Sequence, residues 1–274
     1  MAVSAINGVG GADGANRILQ IISDSRSRIS KNLSRIGSGS RIISPEDDAA
    51  GLAQVTKFNA LIERLNAAQT NITDSISFSE TQSGVLTVDQ KVLGRMGELA
   101  MLAQDATQSD ADRALYQNEF SQLQEIISDS TGSKFNEQPL FSESGHAVTT
   151  DGEGGSTTTA PVDLDSPLAN GGVGGVESLS ISTAADAAAA LGSLLTATGN
   201  VARLQSSAGA NISSLNFRRE ALEESELNIS TARSRIADSD LAEESTKLSA
   251  NLVRIRQAYQ LLGKANQNSF SALS

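Results

Sequence analysis

Apolar residues recur along two long stretches of the chain at a spacing slightly tighter than that of a straight α-helix. From Phe58 the inward positions run Phe58, Leu61, Leu65, Ala68, Ile72, Ile76, Ser79, Ser83, Leu86, Gln90 and Leu93, ten steps over 35 residues. From Leu194 they run Leu194, Ala197, Val201, Leu204, Ala208, Ile212, Leu215, Arg218, Leu222, Ser225, Ile229, Ala232 and Ile236, twelve steps over 42 residues. A step of about 3.5 residues is the coiled-coil period, which keeps one seam facing a partner helix. Both stretches therefore predict long helices. Weaker patterns flank them. Ile18, Ile22, Ser25, Ile29, Leu33 and Ile36 predict an N-terminal amphipathic helix. Leu241, Ser245, Leu248, Leu252, Ile255, Tyr259 and Leu262 predict a C-terminal one.

Start and stop signals punctuate these helices. Ser44-Pro45-Glu46-Asp47 offers an N-cap serine, a proline at the first helical position and an acid in the first turn. Ser109 and Asp112 repeat this logic after a break at 104–108, and Thr131-Gly132 ends that helix on a C′-type glycine. Thr183 with Asp186 caps the next helix, and Asp240 with Glu243 starts the last. Gly37-Ser38-Gly39-Ser40 and Ala237-Asp238-Ser239-Asp240 separate the terminal helices from the long ones.

Between the halves the pattern changes. Eight of the 23 glycines fall within 142–180, with Thr157-Thr158-Thr159, Pro161 and Pro167, so this stretch is rich in turns. The alternations Val162/Leu164 and Leu179/Ile181 are candidate strands of a small hairpin. The fold class expected is mainly α: an elongated antiparallel helical rod with paired terminal coiled-coil helices and a small β-hairpin or loop insert. Both termini lie at one end of such a rod.

Composition removes whole classes of chemistry. The chain of 274 residues has no Cys and a single His, His146, which excludes thiolate and multi-His metal sites and a Cys nucleophile. The net charge of −11 argues against sequence-independent nucleic-acid binding, which needs clustered cations. No uncharged apolar run reaches membrane-spanning length, and residues 1–14 lack the basic start and apolar core of a secretory signal. The charge is uneven. Residues 1–44 carry six bases and two acids, 229–274 six bases and four acids, and 45–228 nine bases and 26 acids. Two basic ends thus flank an acidic middle, which suggests that the ends belong together.

Local candidates for chemistry have simpler readings. Asp47-Asp48 reads as dipole-favoured charge at a helix start rather than an acid–base pair. Asp151-Gly152-Glu153-Gly154-Gly155 lacks the spaced ligands and closing Glu of a calcium loop. The pairs Arg26/Arg28, Arg233/Arg235 and Arg254/Arg256 read, on so acidic a chain, as partners of acidic residues rather than as contacts to nucleic acid or anionic lipid. No cofactor is expected.

Five ordered stretches resemble a known family. Residues 35–53, RIGSGSRIISPEDDAAGLA, are similar to the RLSSGLRINSAxDDAAGLA signature of bacterial flagellins. Residues 71–77, 95–100, 135–140 and 232–244 resemble that family's NAxDGIS, RMRELA, FNGxxLL and ARSRIxDADFAxE motifs, and Ala265-Asn266-Gln267 its closing ANQ. The similarity spans roughly 1–141 and 184–274. It departs at Ile6-Asn7-Gly8-Val9-Gly10-Gly11, at Arg254 and Arg256, and at the end, Ser269 to Ser274.

The resemblance implies a non-enzymatic structural subunit that polymerises into the flagellar filament for swimming motility. It implies an inner terminal domain of 1–44 plus 238–274, an outer helical domain of 45–141 plus 184–237, and a short variable insert at 142–183. Polymerisation is expected along the terminal seams, at Ile18, Ile22, Ile29, Leu33, Leu248, Leu252, Ile255 and Leu262. Arg41, Asp47, Asp48, Arg233, Arg235 and Asp240 carry the family signature. The partners implied are many copies of the chain, the cap and hook-associated junction proteins, an export chaperone and the flagellar type III export apparatus. Export by that route is uncleaved, so the location implied is the extracellular filament. The family is also a ligand of a vertebrate Toll-like receptor, and the contact positions carry over to Arg95, Leu99 and Glu119; Gly94 and Gly97 depart from the family's Gln and Arg beside them. Two alternatives stand beside this reading: a hook–filament junction protein of the same family, and a soluble helical signalling coiled coil.

Overall fold

In a computed structural model of the chain, residues 12–271 are described. They contain five helices: α1 (Ala12–Ser38), α2 (Ala49–Gln104), α3 (Asp110–Thr131), α4 (Ala184–Ala237) and α5 (Leu241–Ser271). Two antiparallel pairs of short strands join them, β1 (Lys134–Phe135) with β2 (Gln138–Pro139) and β3 (Ala147–Thr149) with β4 (Ser156–Thr158). The chain is mainly α and its helices pair antiparallel, as the periodicity predicts. The N-terminal departure at 6–11 and the last three residues lie outside the described residues, as do the side chains of Ala265, Asn266, Ser269 and Phe270.

The helix starts follow capping chemistry. At α3, Ser109 and Asp112 form a reciprocal capping box. At α4, Thr183 Oγ1 accepts from the Asp186 N–H at 3.1 Å. At α5, Asp240 Oδ1 accepts from Ala242 and Glu243 N–H at 2.9 and 3.1 Å. The start of α2 differs from expectation. Ser44–Asp47 forms a turn closed by the Asp47 N–H on the Ser44 carbonyl, and Asp48 is the cap, accepting from Gly51 N–H at 2.8 Å. Gly51 has a reason to be glycine, since a Cβ there would overlap the capping carboxylate and come within 2.9 Å of Ile42 Cδ1. Gly132 follows α3 in a right-handed conformation (φ −81°, ψ 0°), so the expected C′ glycine is not the left-handed kind. Gly39, at φ +68°, does take the left-handed conformation just after α1.

The chain divides into two compact units, 61–227 and 1–60 with 228–274. The division falls within α2 and α4, not at the helix breaks that the glycine and aspartate signals mark.

In the 61–227 unit the α2 and α4 seams face inward over most of their length, although at Ser83, Gln90 and Ile212 the residue one earlier (Gln82, Asp89, Asn211) is the buried one. Leu65, Ala68, Ile72, Ile76, Leu86, Leu93, Leu194, Ala197, Val201, Leu204, Ala208, Leu215 and Leu222 are all buried. Gln69 of α2 donates to Glu226 of α4 at 3.1 Å, and Gln205 of α4 donates to Thr87 of α2 at 2.9 Å, which fixes the antiparallel register. Phe120 and Ile127 bring α3 onto the same core.

The glycine-rich insert is part of that core rather than a loose excursion. It contributes Val162, Leu164, Val173, Val176 and Ile181. Its hairpin is not where apolar alternation places it. Val162 makes only a single bridge, to Ser142, and Leu179 and Ile181 lie in no strand. The hairpin is β3–β4, built from Ala, Val, Thr and Ser. Most of the insert has no strand partner, so helix side chains satisfy its backbone, as buried peptide groups require. Gln124 donates to the carbonyls of Val176 and Leu179, both at 2.8 Å. Gln117 accepts from Ile181 N–H at 2.7 Å. Asn211 both accepts from and donates to Ala160, at 2.8 and 2.9 Å.

Candidate functional site

The terminal unit pairs α1 with α5 antiparallel. Ile18 and Ile22 of α1 close on Ala258 of α5, with Leu262 packed alongside. Arg26 donates to the Tyr259 hydroxyl at 2.5 Å, and Arg35 to Glu244 at 3.4 Å. Of the eight seam residues expected from periodicity, Ile18 and Ile22 are buried, and Ile29, Leu248, Ile255 and Leu262 are half-buried. Leu33 and Leu252 are not in the seam. They are 52% and 43% exposed, and Asn32 and Asn251 are buried in their place. Inward positions on α5 fall at Glu244, Leu248, Asn251, Ile255, Ala258 and Leu262, close to the 3.6-residue turn of an uncoiled helix. A 3.5-residue count therefore slips by one residue at Ser245, Leu252 and Tyr259. The positions it missed are polar or small, and hydrophobicity gives no signal there.

The signature residues gather where the chain leaves α1 and re-enters α5. Arg41 donates Nε and Nη2 to the Ile236 carbonyl at 3.1 and 2.8 Å, covering an unpaired acceptor at the C-terminal end of α4. The Arg41 N–H bonds the Ala237 carbonyl, and the Ser239 N–H bonds the Gly39 carbonyl at 2.9 Å. Asp47 pairs with Lys31, lies 3.9 Å from Arg35 and accepts from Ile43 N–H at 3.2 Å. The Lys31 hydrogen bond, aided by the Ile43 N–H, holds the Asp47 carboxyl down at about 2. Arg41 and Asp48 approach to 3.7 Å. Arg233 donates to Asn59 at 3.4 Å, while Arg235 is exposed. Arg41, Asp47 and Asp48 act as staples of a chain crossing, and the sequence alone did not show that Arg41 caps α4.

The carried-over receptor positions lie in the 61–227 unit. Arg95 donates Nε and Nη2 to both Glu119 oxygens, at 2.7 and 3.2 Å, and Nη1 to Glu98 at 2.9 Å. Leu99 is 1% exposed. It belongs to the core and offers no surface to a receptor in this fold, so the expectation of a contact there is corrected.

The remaining candidates have structural uses. Asp151 Oδ1 accepts from the N–H of Glu153 and of Gly155, at 2.9 and 2.6 Å, which closes a turn between β3 and β4. His146 stands edge-on to Phe78, ring centres 4.5 Å apart. Among the described residues no three His, Cys, Asp or Glu group as metal ligands, and no helix is long and apolar enough to cross a membrane.

Sequence comparison completes this picture. The family model for the bacterial flagellin N-terminal helical region matches residues 14–146, and that for the C-terminal helical region matches 191–274. The chain belongs to the bacterial flagellins. A flagellar filament 30.7 kDa core protein of Treponema maltophilum is 28% identical over 273 residues, covering 94% of this chain and 95% of that one. A flagellin of Halalkalibacterium halodurans is 29% identical, covering 89% and 90%. Among solved structures, one described as a flagellar hook-associated protein of Vibrio parahaemolyticus superposes with a TM-score of 0.59 at 15% identity. It covers 70% of this chain and all of that one, a likeness of fold. Flagellins are structural proteins, not enzymes, and they form the flagellar filament outside the cell. This flagellin is a filament subunit.

Proposed function

We propose that the α1/α5 pair is the polymerisation element of this flagellin. The observation that carries the reading is an imbalance of apolar surface. Among the described residues the apolar side chains that the pair buries are Ile18, Ile22 and Ala258, yet Leu19, Ile21, Leu33, Leu252, Val253 and Leu261 are 43–53% exposed on the same two helices. Large contiguous apolar patches left outside a core mark surfaces that bind something, and six such side chains on one helix pair favour this reading. Each is worth on the order of 1.5–3 kcal/mol when fully buried. Copies stacked in an open helical lattice use heterologous contacts that do not close. With so small an internal seam the pair is marginal by itself, since helical stability comes mainly from packing. It therefore orders on assembly, which holds back premature polymerisation.

On this reading the chain's partners are other copies along the filament, the cap and junction proteins at its ends, and a chaperone with the type III export apparatus before assembly. Export leaves the subunit outside the cell without cleavage. Electron microscopy of purified protein seeded with sheared filament fragments tests the reading. The parent is expected to form filaments. Leu33→Asp with Leu252→Asp is expected to abolish them while the 61–227 unit keeps its thermal transition. Filaments from the double variant at parental yield would overturn the assignment, and only dispersed parent particles would overturn the polymerisation reading.

A further inference from the structure

A groove of about 470 Å³ runs along the α1/α5 pair. Arg28, Lys31 and Arg35 line it from α1, and Lys247 and Arg254 from α5. Asn32 and Asn251, 7% and 6% exposed, form part of its lining. Only some of this charge is answered locally. Asp47 pairs with Lys31, Glu244 with Arg35 at 3.4 Å, and Lys247 with Glu243 and Glu244, both at 3.0 Å. Among the described residues Arg28 makes no ion pair, and Arg254 reaches only the Asn251 amide oxygen at 3.5 Å. One Glu244 oxygen and the Arg35 Nε are buried with no partner. The groove is therefore cationic with open hydrogen-bonding capacity.

The opposite charge lies elsewhere on the chain. Residues 61–227 carry 23 acids against eight bases, whereas 1–60 and 228–274 together carry nine acids against 13 bases. Glu63, Asp74 and Glu80 on α2 are exposed. We infer that the groove receives carboxylates from the acidic 61–227 unit of a second copy of this chain. The inference rests on the polymerisation reading and adds one charged contact to it. Groove and acidic unit involve different residues, so head-to-tail use of this contact from copy to copy gives the heterologous kind of chain that an open helical lattice needs. Opposed charges also steer encounter and fix register more than they add affinity.

Filaments grown from an equal mixture of unlabelled and heavy-isotope protein give a direct test. A carbodiimide joins lysines to carboxylates in contact, and mass spectrometry then reads the joined peptides. Mixed-isotope links from Lys31 or Lys247 to carboxylates within 61–227 are expected. Arg28→Gln with Arg254→Gln keeps good helix formers. It is expected to raise the critical concentration for seeded growth about fivefold, as for two exposed ion pairs. It should also flatten the salt dependence between about 0.01 and about 1 M, where the Debye length falls from about 30 to about 3 Å. Links only within single chains overturn the contact, as does a variant matching the parent in critical concentration and salt slope. So does binding of inorganic phosphate by the groove without any mixed link. In each of these cases the parent still polymerises, which separates failure of this contact from failure of the polymerisation reading.

Discussion

The hydroxyl of Ser130, near the end of α3, donates to Oδ1 of Asp89 on α2 at 2.6 Å. The other Asp89 oxygen is buried with no partner, and the residue is fully buried. Burial pushes this carboxyl up to about 6, against 3.8 for an ordinary aspartate, with the Ser130 bond pulling weakly the other way. Between those two values the folded chain holds a proton that the unfolded chain has released, so stability falls as pH rises through the window. By neutral pH the cost is on the order of 3 kcal/mol. Asp89→Asn keeps the Ser130 bond without the charge. It is expected to raise the melting temperature of the 61–227 unit near neutral pH and to flatten the dependence between about pH 4 and about pH 6. Circular dichroism melts at both ends of that range check it, and an Asn variant that melts below the parent at neutral pH refutes it.

Arg113, 8% exposed, ties the turn between α2 and α3 together. It donates to the carbonyls of Ala103, Gln108 and Asp105 at 2.9, 2.9 and 3.2 Å, and to Asp110 at 3.2 Å. Arg113→Met keeps volume but strands the buried Ala103 carbonyl, worth about 1–3 kcal/mol when left unpaired, and takes a partner from the more accessible Asp105 and Gln108 carbonyls. A loss of a few kcal/mol is expected in urea unfolding, largely through the midpoint. A loss below about 1 kcal/mol would mean that water replaces the guanidinium.

The turn between β1 and β2 places Asn136 and Glu137 at φ 49° and 65°. Asparagine tolerates this region; glutamate does so at a cost of about 1–2 kcal/mol. Glu137→Gly is expected to stabilise the 61–227 unit by about 1 kcal/mol, against the usual penalty for glycine. Thermal unfolding decides the sign.

Arg41 is half exposed, so its effect is smaller but local. Arg41→Ala uncovers the Ile236 carbonyl and is expected to cost about 1 kcal/mol. Amide exchange should rise first in the last turn of α4 and at Ser239, whose N–H bonds Gly39. Unchanged protection there would mean that the backbone bonds of Arg41 and Ser239 suffice.

The long helices were legible because their seams are long. Over ten or more steps the inward positions of α2 and α4 average out the intruders Ser79, Ser83 and Arg218. In the terminal pair the same count slipped onto Leu33 and Leu252. Only six residues or so define each seam, and the buried members Asn32, Asn251 and Glu244 are polar. The sequence signal at Asp47 was real, but it marked an ion-pair partner for Lys31 rather than the first turn of α2. Arg113 and Asp89 gave no signal, because an isolated charge in an amphipathic helix reads as surface until its neighbours are known. The insert hid its fold for another reason. Its backbone is satisfied by Gln117, Gln124 and Asn211 from distant helices, a pairing that no local pattern encodes.

That dependence divides the insert into parts that tolerate change and a part that does not. Val162, Leu164, Val173 and Ile181 cannot be exchanged for arbitrary sequence without opening the core. A Cβ at Gly152 would already come within 2.8 Å of Leu61. The β3–β4 tip at Glu153 and Gly154 is exposed, and Gly154 has open space around it. A foreign peptide grafted between those two residues would leave the packed strands untouched, and the assembled polymer would carry it once per subunit, as a regular array.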